Sequence, residues 1–142
     1  MTEDYDLSRF LDAQRNVYDI ALNEIKSAIK TSHWMWFIFP QIDGLGISST
    51  SREFSIKSVE EARSYYHHPI LGARLKEITA AFMNIKNKSA REIVGRDAQK
   101  MKSCMTLFNQ IQEETNLFSD VLAKYFEGSR CTKTIHFTQG SN

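Results

Sequence analysis

Between residues 7 and 30, apolar side chains recur at Phe10, Leu11, Val17, Tyr18, Ala21, Leu22, Ile25 and Ile29. That three-and-four spacing places them on one face of a helix. Charged and amide residues such as Arg9, Asp12, Arg15, Asn16, Asp19, Asn23 and Lys26 take the other face, and neither Gly nor Pro interrupts. The pattern predicts one amphipathic helix capped by Asp6. Residues 31–51 lose the period. The run Trp34-Met35-Trp36-Phe37-Ile38-Phe39 neither alternates nor repeats helically, and Pro40, Gly44 and Gly46 follow it, so it reads as a buried aromatic segment leading into a loop.

Helix signals then return. Ser58 with Glu61, and Ser89 with Glu92, match the capping box, in which side chain and backbone satisfy each other's free donors. His68-Pro69 should stop the first of these helices. A second should run on from Pro69 with Leu71, Leu75, Ile78, Phe82 and Ile85 inward, and Gly95 should end the Ser89 helix. Asp97 is placed to cap a helix carrying Met101, Cys104, Met105, Phe108 and Ile111. Beyond Glu113-Glu114-Thr115, another carries Phe118, Val121, Leu122, Tyr125 and Phe126 up to Gly128. Strand-like alternation is confined to Thr134-Ile135-His136-Phe137-Thr138. The expected architecture is all-α: a single compact helical bundle enclosing a buried aromatic and glycine-containing loop segment. Its domain should span residues 1–138, with 139–142 a frayed tail. The expected core holds Phe10, Val17, Leu22, Leu75, Ile78, Phe82, Met101, Phe108, Val121 and Leu122.

Composition narrows the function classes. The chain has 142 residues, 42% of them hydrophobic and 25% charged, enough for one real core and too few residues for two. Its 18 basic and 17 acidic side chains leave a net charge of +1, which argues against a nucleic-acid partner. The aromatic run is far shorter than the roughly 18 apolar residues a membrane helix needs, and Met1-Thr2-Glu3-Asp4 is acidic where a signal would be basic. Cys104 and Cys131 lack paired spacing and read as reduced thiols. His67 and His68 point apart on a helix, so no metal site is expected. The expectations are a cytoplasmic, monomeric protein with no cofactor and no membrane partner.

Three constellations could carry chemistry. Both tryptophans, Trp34 and Trp36, adjoin Ser32, His33 and Gln41; indoles can stack on a flat heterocycle while the hydroxyl, imidazole and amide orient it. The same aromatics are equally what a core uses. Gly44 and Gly46, followed by Ser48 and Ser49, could cradle an anion, although the lysine of a P-loop is missing and a plain turn would look the same. Asp97, Lys100, Ser103 and Thr106 recur at threes and share one strip of a helix. There a carboxylate could act as base, or merely cap a solvated face. Cys104 falls on the apolar side and reads as packed.

Several of these motifs together resemble the family catalogued as domain of unknown function 1810, found mainly in bacteria and fungi. The likeness is carried by Leu7-Ser8-Arg9-Phe10 with Ala13-Gln14, and by the run from Lys30 through Trp34, Trp36 and Pro40 to Gln41. Gly44-Leu45-Gly46, His68-Pro69 with Leu71-Gly72 and Arg74-Leu75, and Asp97 with Lys100 through Phe108 complete it. The resemblance spans nearly the whole chain and implies a small all-helical single domain without an established activity. Where that family tends to carry an aspartate before a threonine, this chain has Cys131-Thr132. Residues 90–128 are also faintly similar to the C-terminal half of YbiA-like proteins, which are linked to ADP-ribose and N-glycosidic chemistry.

Two readings follow. In the first, a pocket takes a nucleotide or ADP-ribose-like ligand and could cleave its N-glycosidic bond. Trp34 and Trp36 would stack the base, Ser32 and Gln41 would orient it, and Lys30, Lys100, Gly44 and Gly46 would hold phosphate. Ser103 and Thr106 would line the polar side, with Asp97, Lys100 and His33 as the catalytic candidates. In the second, the chain is a non-catalytic protein–protein interaction module and the polar motifs are caps and surface.

Overall fold

In the computed structural model, which describes residues 5–111 and 116–139, the chain is a helical bundle folded around one continuous apolar core. The predicted first helix is two: α1 (Ser8–Gln14) and α2 (Tyr18–Lys26). Gln14 lies in phase with the apolar face, and its buried amide donates to Phe37 O at 2.8 Å and Tyr65 Oη at 3.0 Å. Val17 N–H turns back to Gln14 O, and the helix restarts with Tyr18 still facing inward. The apolar phase thus survives the break, which periodicity alone cannot register. Asp6 accepts from Ser8 N–H at 3.0 Å, while Leu7 is the residue at the cap position.

Within the aromatic segment lies one turn of helix, α3 (Met35–Ile38), and α4 (Ser49–Glu53) follows the glycine loop. Ile42 and Ile56 form a parallel bridge that closes this excursion. The Arg9 guanidinium fixes its far end by donating to Glu53 O, Ser55 O and the Glu61 carboxylate.

The Ser58 hydroxyl caps α5 (Val59–His67), but the Glu61 carboxylate accepts from Lys57 N–H and leaves the box half made. His68 ends α5 in an extended conformation, and its Nδ1 accepts the N–H groups of Ile70 and Leu71 at the start of α6 (Leu71–Met83). The complete capping box is at Ser89 and Glu92 on α7 (Ala90–Val94). Gly95 then takes φ +59°, a left-handed conformation open to glycine, and a 3₁₀ turn, Gly95–Asp97, leads into α8 (Ala98–Asn109). After α9 (Leu117–Phe126), the segment with strand-like alternation is helical: α10 (Thr132–Gln139). Thr134 and Thr138 lie four apart and are both buried, so the same five residues also satisfy a helical period. Packing against α8 decides between the two, since Thr138 Oγ1 bonds Gln110 Oε1 at 3.1 Å.

α8 packs on α9, α9 on α6, and α6 on α2 and α5, with α10 against α8 and α1 against α3. A file of rings runs through the centre, from Phe10 edge-on to Tyr65, then to Phe108 and Phe118 at centroid separations of 5.1, 5.6 and 5.9 Å. Nine of the ten expected core residues are buried, and Val17 is half-buried against them. Both cysteines are free and buried. No helix among the described residues is long and apolar enough to cross a membrane.

Candidate functional site

The 3₁₀ turn after α7 brings Asp97 against the segment that follows α2, because Lys30 N–H bonds Ile93 O at 2.8 Å and holds the two together. Asp97 was expected to cap α8, but its carboxylate makes no capping bond there among the described residues. Two ammonium groups claim it instead, Lys30 Nζ at Oδ2 and Lys100 Nζ at Oδ1, each at 2.9 Å. Each lysine also faces an indole: Lys30 Nζ lies 5.0 Å from the Trp34 ring centre and Lys100 Nζ 5.2 Å from that of Trp36. The aromatic motif and the acid–base motif are therefore joined through the lysines. Burial pushes the Asp97 carboxyl up, but the hydrogen bonds and charges of Lys30 and Lys100 outweigh it and hold the group below the usual carboxylate range.

The two tryptophans differ in role. Trp34 is 1% exposed, and its Nε1 donates to Glu24 Oε1 at 3.0 Å. Glu24 also accepts from the N–H groups of Thr31 and Ser32, and from the Ser32 hydroxyl at 2.5 Å. One carboxylate on α2 thus ties down the whole approach to α3. Desolvation raises its pKa, but these four donors prevail and lower it to about 2. Sequence reasoning did not single out Glu24; its only local signal is a position in the last turn of α2.

Trp36 is only partly covered and separates two open chambers. The first, about 530 Å³, lies between α3 and the 3₁₀ turn and is lined by Lys30, His33, Trp34, Trp36, Asp97 and Lys100 among others. The second, about 560 Å³, lies between α8 and the start of α10, where Gln41 and Ser103 join Trp36 and Lys100 in its wall. Arg96 lines both chambers.

Four expected ligand contacts are elsewhere. Ser32 is held by Glu24. Gly44, at φ +105°, sits under the Phe137 ring. At Gly46 a Cβ would lie 2.5 Å from Ser51 Oγ and 3.0 Å from the Trp36 ring, so this glycine lets the loop back the indole rather than cradle an anion. The Thr106 hydroxyl is buried, donating to Lys102 O and accepting Cys131 N–H at 3.0 Å.

The second chamber also holds Cys131 and four residues the sequence did not single out as site candidates: Arg96, Lys102, Arg130 and Lys133. They come from two stretches about thirty positions apart, which only the docking of α10 on α8 unites. The Cys131 thiol opens α10. Burial would raise its pKa, but donation from the Ser103 hydroxyl at 3.2 Å and from the backbone N–H groups of Thr134 and Lys133 lowers it below the usual thiol range. Cys104, sealed in the core, is pushed well above that range by burial. No group of three metal-ligating side chains occurs among the described residues.

A family model described as protein of unknown function (DUF1810) matches residues 4–138. The crystal structure of the conserved hypothetical protein Rv1873 from Mycobacterium tuberculosis superposes with a TM-score of 0.94 at 38% sequence identity, covering 96% of this chain and 99% of that one. No curated protein matches the chain.

Proposed function

The chain belongs to the DUF1810 family of proteins of unknown function, and from its own geometry we propose that it binds a nucleotide or ADP-ribose-like ligand across the two chambers. The observation that carries this reading is Trp36, a part-covered indole that lines both chambers together with Arg96 and Lys100. A planar base would stack on that ring, at a gain of about 1–3 kcal/mol, while the neighbouring cations meet the ligand's phosphate. Trp34 serves as wall, since its faces and its N–H are already engaged.

N-glycosidic cleavage is the finer form of the reading. Asp97, kept anionic by its lysines, would be a weak base but a lasting negative charge. It would orient water and face the positive charge that develops on the ribose. His33 is exposed and lines the first chamber, within reach of a ligand held there.

The test is a tryptophan-fluorescence titration with AMP, ADP-ribose and NAD, repeated on Trp36→Leu and paired with chromatography for released base. Quenching in the wild type that disappears in Trp36→Leu supports the pocket, and base release supports cleavage. Unchanged emission and no heat of binding for all three ligands would leave the interaction module as the better account.

A further inference from the structure

We propose that the second chamber is an oxyanion site in its own right, built for a phosphomonoester or diphosphate group whether or not a base occupies the first chamber. The chain as a whole is nearly neutral, at +1, yet Arg96, Lys100, Lys102, Arg130 and Lys133 converge on this one cavity, and among the described residues no carboxylate lines it. Like charges gathered in this way repel one another unless something anionic sits among them. Lys100 has Asp97 as counter-charge. Among the described residues, Arg96, Lys102 and Lys133 are paired with no carboxylate.

Gln41 supplies the independent observation. It lines the chamber, is 3% exposed, and its Nε2 has no hydrogen-bond acceptor. A buried amide left unpaired is costly, which native structures avoid unless a ligand or water completes the bond. The α10 N-terminus is not the cradle, because the N–H groups of Lys133 and Thr134 already serve Cys131. The oxygens of the anion would instead meet the Arg96, Lys102 and Lys133 side chains, and the Gln41 amide once it turns out of its buried position towards them.

The experiment is calorimetry of the full chain with inorganic pyrophosphate, against potassium chloride at matched ionic strength, for the wild type, Lys133→Gln, Lys102→Gln and Gln41→Leu. Each lysine variant should bind about tenfold more weakly, the loss of one charge-assisted hydrogen bond. Gln41→Leu should also bind more weakly while melting no lower than the wild type, since it removes an unpaired buried donor. Heat that chloride reproduces, or equal affinity in all four proteins, would overturn the site. The two lysines lie on different elements, so misfolding of one variant leaves the other to decide. Pyrophosphate carries no ring, so quenching by AMP without pyrophosphate binding sinks this inference alone, and the converse sinks the stacking reading alone.

Discussion

Replacing Asp97 by Asn separates two physical roles that the sequence leaves superimposed. If the side chain were a helix cap, Asn would accept the same backbone N–H at little cost, and only Ala would lose the roughly 0.5–2 kcal/mol of a cap. The structure gives the carboxylate a different task. It neutralises Lys30, whose side chain is 8% exposed, and Lys100, at 31%, while being 17% exposed itself. Without the charge, Lys30 keeps only the Ser32 carbonyl at 2.6 Å and the face of Trp34. Exposed pairs contribute about 0–1 kcal/mol, and breaking a fully buried one costs about 3–5. Burial between those limits puts the loss near 2 kcal/mol for Asn and Ala alike. With a urea slope of about 1–3 kcal/mol per molar, both variants should unfold about 1 M earlier than the wild type at pH 7. The pH dependence has a definite sign. The folded pKa lies below the ordinary aspartate value of 3.8, so the contribution is fully present above that value and is lost as pH falls through the folded one. The gap between wild type and Asp97→Asn should therefore close in acid. An Asn variant that unfolds with the wild type while Ala unfolds earlier would restore the cap and refute the ion-pair argument.

Glu24→Gln keeps the shape and most of the acceptor positions but removes the charge that the Thr31–Trp34 donors stabilise. Because Glu24 is partly exposed, solvent screening reduces the expected loss to about 1 kcal/mol at pH 7. That loss should shrink as pH falls from 4.5 towards the folded value of about 2, and urea midpoints at pH 7 and pH 3 that differ from the wild type by the same amount would contradict the assignment. Gly72→Ala places a Cβ 2.0 Å from the Tyr66 carbonyl oxygen. The corner between α5 and α6 must then open, at a cost of about 3 kcal/mol or more, and a thermal melt matching the wild type would show that this corner is looser than drawn.

What the sequence made legible was local. The Ser58 and Ser89 caps, the His68-Pro69 stop and the Gly95 terminus each rest on residues within one turn of the event. The break after Gln14 and the helix at residues 132–139, neither of which the pattern specified, have the opposite cause. The break after Gln14 is set by bonds to Phe37 and Tyr65, and the helical state of residues 132–139 by contact with α8. The candidate site divides the same way. Lys30, Trp36, Asp97 and Lys100 do meet, and their motif was visible. Glu24 and the lining of the second chamber were not, because their relevance arises only when α2 turns back on the aromatic segment and α10 docks on α8.

The Lys30–Asp97–Lys100 cluster also changes where an anion can be held. Two ammonium groups on one carboxylate sum to a single positive charge, and both are oriented towards Asp97. Each ammonium keeps at least one further N–H donor, but the shared carboxylate weakens its pull on an anion. Among the described residues, Arg96, Lys102 and Lys133 have no carboxylate partner; all three line the second chamber, and Arg96 lines the first as well. In the proposed mode of binding, the stronger phosphate contacts would therefore come from these three side chains rather than from Lys30 and Lys100, while the base would stack on Trp36. Asp97 then acts in opposite directions on fold and ligand. Its charge offsets two half-buried lysines and so strengthens the fold, yet the same charge weakens the positive field that an oxyanion in the adjoining chamber would experience.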